Sequence, residues 1–195
     1  MRLHGDVKLV RRTNLVQEND YAKYRTSLLE DFGDICGYCG KSIRLANKGF
    51  EIDHFVPVSI DKTRETDYTN LVMSCFVCNR KKGKKWPTNN KELCHDERQG
   101  FVDPVIEEFD THLGRDQSGA IEYYTDVGAY MYGVFKFKLR PTSHVWKSME
   151  LVKCKEQLYQ IKKESIQFSV DEMEQFIDIQ EELDNLLEYL LGKGE

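Results

Sequence analysis

The 195-residue chain has no long apolar run, and it contains only 4 prolines and 13 glycines. No stretch approaches the ~20 consecutive apolar residues that a membrane-spanning helix needs. The first residues also lack the apolar segment of a secretory signal, so we expect a soluble, cytoplasmic protein. Because 40% of the residues are hydrophobic, the composition excludes a collagen-like or largely disordered chain. It predicts one compact domain with an appendage.

Cysteines are few, at 6, and four of them form two closely spaced pairs. The reduced thiols of the cytoplasm favour ligand or core roles over disulfides. Two residues between the members of a pair let both sulfurs face one ion, and four sulfurs suit the tetrahedral preference of Zn²⁺. The sequence therefore predicts one structural zinc ion bound by Cys36, Cys39, Cys75 and Cys78.

Charge is distributed unevenly along the chain. The formal net charge is -5, yet residues 1–100 hold 18 basic side chains against 14 acidic ones, and residues 101–195 hold 10 against 19. Whole-chain acidity argues against a nucleic-acid partner, but binding depends on the local field of one face. The densest basic run directly follows the second cysteine pair. By itself such a run is equally typical of a solvated surface, but its position favours phosphate contacts without sequence readout by Arg80, Lys82, Lys84 and Lys85.

Polar side chains between and just after the cysteine pairs suggest a second kind of chemistry. Residues 49–58 alternate as a strand does, so neighbours Asp53 and His54 should point to opposite faces. The Asp53 carboxylate and the Asn79 amide oxygen suit Mg²⁺ or Mn²⁺. A neutral His54 imidazole can take a proton from an attacking water. For the Asp-His dipeptide alone, a strand end with a satisfied histidine is the alternative.

Together these motifs resemble the HNH endonuclease family over residues 30–86. The pattern is C-x-x-C, then I-D-H-F-V-P at 52–57, N-L at 70–71, and C-x-x-C-N-x-x-K-G at 75–83. The resemblance implies a ββα-metal core stapled by zinc, within an α+β protein. It also implies that His54 is the general base, that Asn70 holds the loop carrying this base, and that Asp53 and Asn79 bind the catalytic metal. Asn79 stands where the family name has its last histidine.

The rest of the chain is predicted from local patterns. Apolar spacing indicates a helix over 20–32, whereas aromatic and β-branched residues indicate strands over 120–140, interrupted by Gly128 and Gly133. Two helices with an N-cap at Ser169 form a C-terminal hairpin, about 144–167 and 170–192. Cys94, His95 and His112 are interpreted as packing or surface residues. The predicted regions are a helical lead-in (1–29), a nuclease core (30–90), a strand-rich extension (91–143) and the helical hairpin (144–195).

The resulting hypothesis is a metal-dependent endonuclease that hydrolyses phosphodiester bonds of DNA. Two alternatives stay open: a non-catalytic zinc-ribbon protein that binds nucleic acid, and an adaptor whose helical tail does the main work. Flanking residues 24–33 and 101–104 also resemble HNH proteins that accompany ATPases in bacterial anti-phage systems. That resemblance implies an ATPase partner and a role in antiviral defence. The apolar residues of the helical tail must bury against something, which is either the chain's own nuclease core or a docking partner, including a second copy of the chain; the acidic charge favours a protein partner.

Overall fold

The computed structural model describes residues 1–46, 48–164 and 169–190, which divide into two compact units. One unit contains Met1–Gln117 and Ile121–Arg140, and the other contains Ser118–Ala120 with the described residues from Pro141 onward. Helices and strands are mixed in sequence, so the α+β prediction is confirmed. Among the described residues, no helix is both long enough and apolar enough to cross a membrane.

The first helical segment begins with a 3-10 turn at Tyr21–Tyr24 and continues as α1 (Arg25–Asp31). The Asp20 side chain starts it by accepting a hydrogen bond from the Ala22 backbone N–H. These bounds confirm the helix predicted over 20–32. The helical lead-in predicted over 1–29 is wrong before Tyr21, because that stretch runs without helix and forms a bridge from Arg2 to Gly114.

A two-stranded antiparallel sheet followed by a helix forms the centre of the first unit. Strand β1 (Phe50–His54) pairs with β2 (Leu71–Cys75), with Phe50 opposite Cys75 and His54 opposite Leu71. Every residue of β2 is buried, which explains why its sequence is apolar except at Ser74. Helix α2 (Phe76–Lys82) follows β2 without a loop and ends before Gly83, whose φ is +51°. β1 is shorter than the strand predicted over 49–58.

The segment after the basic run wraps back onto this centre. Helix α3 (Phe109–His112) leads directly into β3 (Leu113–Arg115), which pairs antiparallel with β4 (Ile121–Tyr123). The Arg115 side chain is buried and donates hydrogen bonds to the Leu3 and Cys39 carbonyl oxygens. The extension and the N-terminal segment are therefore both joined to the first cysteine pair.

The strands predicted over 120–140 are largely wrong. After β4 the chain forms helix α4 (Asp126–Val134), capped by the Thr125 side chain, which accepts a hydrogen bond from the Gly128 N–H at 3.1 Å. A Cβ atom at Gly128 would collide with the His112 carbonyl oxygen, so glycine here permits close packing of α4 on α3. Gly128 thus marks a close helix approach rather than a break between strands.

The second unit is an antiparallel pair of helices, α5 (Thr142–Glu164) and α6 (Val170–Leu190). The His144 ring stacks on Tyr189 with centroids 4.1 Å apart, and Lys147 forms an ion pair with Glu182. This pairing confirms the predicted hairpin within the described residues; 165–167 and 191–192 lie outside them.

A reciprocal cap begins α6, as the predicted N-cap required. The Ser169 hydroxyl accepts a hydrogen bond from the Glu172 N–H, and the Glu172 carboxylate accepts one from the Ser169 N–H. This arrangement is a capping box, which satisfies two backbone donors that a helix start would otherwise leave unpaired.

Candidate functional site

The four paired cysteines meet at one buried point. Their sulfurs all lie within 4.8 Å of one another, and the sulfurs of Cys39 and Cys75 are 3.8 Å apart. Four sulfurs held tetrahedrally at about 2.3 Å from one Zn²⁺ stand about 3.8 Å from each other. The geometry of this four-cysteine cluster therefore fits the zinc site predicted from the spacing of Cys36, Cys39, Cys75 and Cys78.

Backbone hydrogen bonds shape the first cysteine pair into a tight turn. The Gly40 N–H donates to the Cys36 carbonyl at 2.8 Å, and the Gly37 N–H donates to Met73 of β2 at 2.8 Å. A Cβ atom at Gly37 would press into Val72, so the turn lies directly against β2. The second pair is fixed differently, because Cys75 ends β2 and Cys78 lies in the first turn of α2.

The four thiols of the cluster differ in their electrostatics. Burial raises the pKa of Cys36 and Cys78 well above the ordinary value of a thiol, whereas hydrogen bonding with Cys36 lowers the pKa of Cys39 and Cys75. One cation is already present as a side chain: Arg140 places guanidinium nitrogens 3.3 Å from the sulfurs of Cys39 and Cys78. Four thiolates around Zn²⁺ carry a net charge of about -2, which this guanidinium partly offsets. The sequence does not point to Arg140 as a neighbour of the cysteines, because Arg140 lies 62 residues beyond Cys78 along the chain.

His54 lies at the end of β1 with its imidazole fixed by a backbone group. Its Nε2 is 2.8 Å from the carbonyl oxygen of Glu65, and its ring meets Tyr21 edge-on at 4.8 Å. A carbonyl oxygen can only accept, so Nε2 carries the proton of a neutral ring. The remaining nitrogen, Nδ1, is then the basic one. This tautomer is suited to removing a proton from water.

Asn70 is fully buried and closes the loop that follows His54. Its Oδ1 accepts from the Val56 N–H at 2.8 Å, while its Nδ2 donates to the Val56 carbonyl at 3.0 Å and to the Arg64 carbonyl at 3.3 Å. The Asn70 backbone carbonyl also accepts from the Phe55 N–H at 2.8 Å. The amide thus joins both sides of the loop between β1 and β2.

The Asp53 side chain is buried. Its Oδ2 atom accepts from the Tyr38 hydroxyl at 2.6 Å and lies 2.9 Å from Lys82 Nζ. Burial raises the pKa of the Asp53 carboxyl, and the Lys82 charge and the Tyr38 hydrogen bond oppose that rise. Both contacts fall on Oδ2, so Oδ1 is the oxygen left for a further partner.

Lys82 corrects one expectation about the basic run. It was expected to bind flanking phosphate, but its side chain is completely buried and also donates to the His54 carbonyl at 2.7 Å. Cys78 and Lys82 lie four residues apart on α2 and share its inward face, which is why this lysine is not at the surface. Arg80, Lys84 and Lys85 are exposed, as that surface role requires.

Glu51 is a site residue that the sequence did not reveal. Its Oε2 accepts from Asn79 Nδ2 at 2.6 Å, and Arg80 approaches its other oxygen at 3.4 Å. Because Asn79 uses its nitrogen on Glu51, its Oδ1 is the atom presented elsewhere. Alternation along β1 places residues 51 and 53 on the same strand face, a signal that could have identified Glu51.

Comparison with known proteins gives one result. Residues 36–85 match the model of the HNH endonuclease family, so the chain contains an HNH endonuclease domain. No curated protein and no solved structure matches the chain significantly. The matched segment contains both cysteine pairs, β1, β2 and α2. A nuclease-type function and a metal-binding four-cysteine cluster are therefore supported together.

Loss of one sulfur should remove the zinc and unfold the first unit. We expect Cys36→Ser to lose the zinc of the four-cysteine cluster, since structural zinc contributes folding free energy directly. Arg140→Met should keep the fold but weaken zinc affinity by about 10–100-fold, the range for outer-shell partners. Zinc content by mass spectrometry and competition with a chromogenic chelator measure the two effects. Lys138→Met, at an exposed position, is the matched control; unchanged zinc in Cys36→Ser would disprove the assignment.

Proposed function

We propose that the protein is a metal-dependent HNH endonuclease that hydrolyses phosphodiester bonds of DNA in the cytoplasm. The observation that carries this proposal is the His54 imidazole, whose Nε2 is committed to the Glu65 carbonyl at 2.8 Å. That contact leaves Nδ1 to act as general base on a water molecule. Asn70 is the positioning residue, because its amide holds the loop between His54 and Glu65.

Asp53 and Asn79 are the proposed ligands of a catalytic Mg²⁺ or Mn²⁺. Each has one oxygen left after its other polar atom is engaged: Oδ1 of Asp53 beside the Tyr38 and Lys82 contacts, and Oδ1 of Asn79 beside the Glu51 contact. Carboxylate and amide oxygens are the donors that these hard ions prefer. When bound, such an ion supplies Lewis-acid stabilisation of the scissile phosphate and the leaving oxygen.

Removing the imidazole should remove the activity without removing the fold. A general base contributes typically about 10²–10⁴-fold, so His54→Ala should cut DNA at least that much more slowly. Plasmid cleavage is followed in Mg²⁺, Mn²⁺ and EDTA, with an RNA substrate in parallel. His144→Ala in the second unit is the matched control, and zinc content should stay unchanged in both variants.

Two outcomes would contradict the proposed mechanism. His54→Ala cutting at the normal rate would exclude this histidine as the base. A chain that binds DNA but never cuts it in either metal would favour the alternative, a non-catalytic zinc-ribbon protein that binds nucleic acid. Preferential cleavage of RNA would support nuclease activity but would show that the substrate is RNA rather than DNA.

The exposed part of the basic run is proposed to bind flanking phosphates. Lys84→Ala/Lys85→Ala should weaken DNA binding and reduce the slope of log affinity against log salt by up to about two charges' worth. The measurement uses the His54→Ala background, so that substrate is not consumed. Lys8→Ala/Lys138→Ala removes the same charge from exposed positions outside the run and should leave the slope unchanged. An unchanged slope in the Lys84/Lys85 variant would show that these side chains do not touch phosphate.

The helical hairpin is proposed as a docking element, either for an ATPase partner in anti-phage defence or for a second copy of the chain. Its support is an apolar strip on α6, where Val170, Met173 and Ile177 are exposed at spacings of three and four residues. Residues 164–195 hold ten acidic side chains against one basic side chain, which favours a protein surface over DNA.

Polar substitution of the strip should abolish docking without unfolding α6. We expect Met173→Gln/Ile177→Gln to lower the mass measured by light scattering or to abolish co-purification of an ATPase. Glu174→Gln/Asp178→Asn changes exposed polar positions of the same helix and serves as control. Unaltered mass and co-purification in the apolar-strip variant would exclude docking through this face.

A further inference from the structure

A second group of metal-ligating side chains lies outside the HNH domain. His95, Glu108 and His112 each present one ligand atom, and these atoms all lie within 4.8 Å of one another. Glu108 Oε1 is 3.3 Å from His95 Nε2 and 3.4 Å from His112 Nε2. These residues belong to the first unit, and the family match ends at residue 85.

The contacts within this trio are those of an open ligand set rather than of a tight ion pair. Charge-assisted hydrogen bonds from imidazolium to carboxylate are about 2.7–2.9 Å long, and both distances here exceed that range. Both imidazoles aim the same atom, Nε2, at one carboxylate oxygen. A tetrahedral zinc site with one open position has three protein ligands, and these three side chains can supply them.

His112 also has the outer contact that orients a metal-binding imidazole. Its Nδ1 is 2.6 Å from the Thr125 hydroxyl, which in turn accepts the Gly128 N–H at the start of α4. Donation from Nδ1 to this oxygen leaves the Nε2 lone pair free for an ion. Metal-bound histidines are usually fixed in this way through their second nitrogen.

The three proposed ligands come from two separate segments, the loop that contains His95 and the region of α3. His95 lies in the turn-rich stretch after the basic run, where it bridges to Gly100 and the Phe101 N–H donates to the Cys94 carbonyl. Glu108 directly precedes α3 and His112 is its last residue, so the two lie four residues apart. An ion bound by all three would fasten the 94–100 loop to α3. With an ion on Nε2, His95 Nδ1 carries the proton, so its 3.4 Å contact with the Glu97 N–H is lost.

We propose that His95, Glu108 and His112 form a second, three-ligand site for Zn²⁺ or a similar borderline transition-metal ion. Two imidazoles and one carboxylate suit such an ion better than Mg²⁺, which prefers oxygen ligands throughout. Glu108 is half exposed, so the fourth position opens to solvent. This site is separate from the four-cysteine cluster and does not depend on the nuclease activity.

Metal counting on the full chain tests the proposal. Zinc-saturated protein, freed of loose metal by gel filtration, should hold two equivalents per chain. His95→Ala and Glu108→Gln alter partly exposed side chains, and each should lower the content to one equivalent with the fold intact. His112→Gln should do the same. His144→Ala, outside the first unit, should retain two equivalents.

Cobalt spectroscopy then tells the two sites apart. Co²⁺ at the four-cysteine cluster gives intense sulfur-to-metal charge-transfer absorption, whereas Co²⁺ at His95, Glu108 and His112 gives only weak visible bands. The Glu108→Gln variant should lose the weak bands and keep the charge transfer. A wild-type chain that binds one equivalent only, or a second equivalent that survives in the three variants, would overturn the proposal.

Discussion

Four cysteine sulfurs converge on one buried point, and the rest of the first unit depends on that constraint. Cys75 is both the last residue of β2 and the residue before α2, so fixing its sulfur fixes where the strand stops and the helix starts. The first pair is held against β2 by the hydrogen bond from Gly37 to Met73. An ion at this point therefore joins the sheet, the helix and the first turn at once. Small sheets of two strands are marginal alone, which makes such a staple decisive.

The proposed active site uses the order that this staple creates. β1 is aligned on β2 in a register that puts His54 opposite Leu71, one residue after Asn70. The buried Asn70 amide can then span the loop, and the loop supplies the Glu65 carbonyl that sets the His54 tautomer. His54, Asp53 and Asn79 each have one polar atom engaged inside the protein. What is left over, one basic nitrogen and two amide or carboxylate oxygens, is the set that phosphodiester hydrolysis needs.

Local patterns predicted the cysteine cluster, the helix before the first pair and the capped hairpin, because spacing of three to four residues encodes each of them. They also predicted β1, which two-residue alternation encodes. The helix α4 was missed since its glycines and aromatics mimic interrupted strands, and its cap at Thr125 is a single weak signal. Lys82 was misplaced because charge alone does not show which helix face turns inward; its four-residue distance from Cys78 does. Contacts of long range, such as Arg140 with the cysteine sulfurs, have no local signature at all.

Those long-range contacts also enlarge the functional unit beyond the matched HNH segment. The His4 ring bonds to the Gly37 carbonyl at 2.8 Å, and Arg115 and Arg140 donate to the carbonyl and the sulfur of Cys39. Residues 36–85 alone would lose all three partners, together with the burial they provide. The N-terminal segment that contains His4 and the later segments that contain Arg115 and Arg140 therefore help to support the four-cysteine cluster. A metal ion at His95, Glu108 and His112 would bind within the same unit as the four-cysteine cluster.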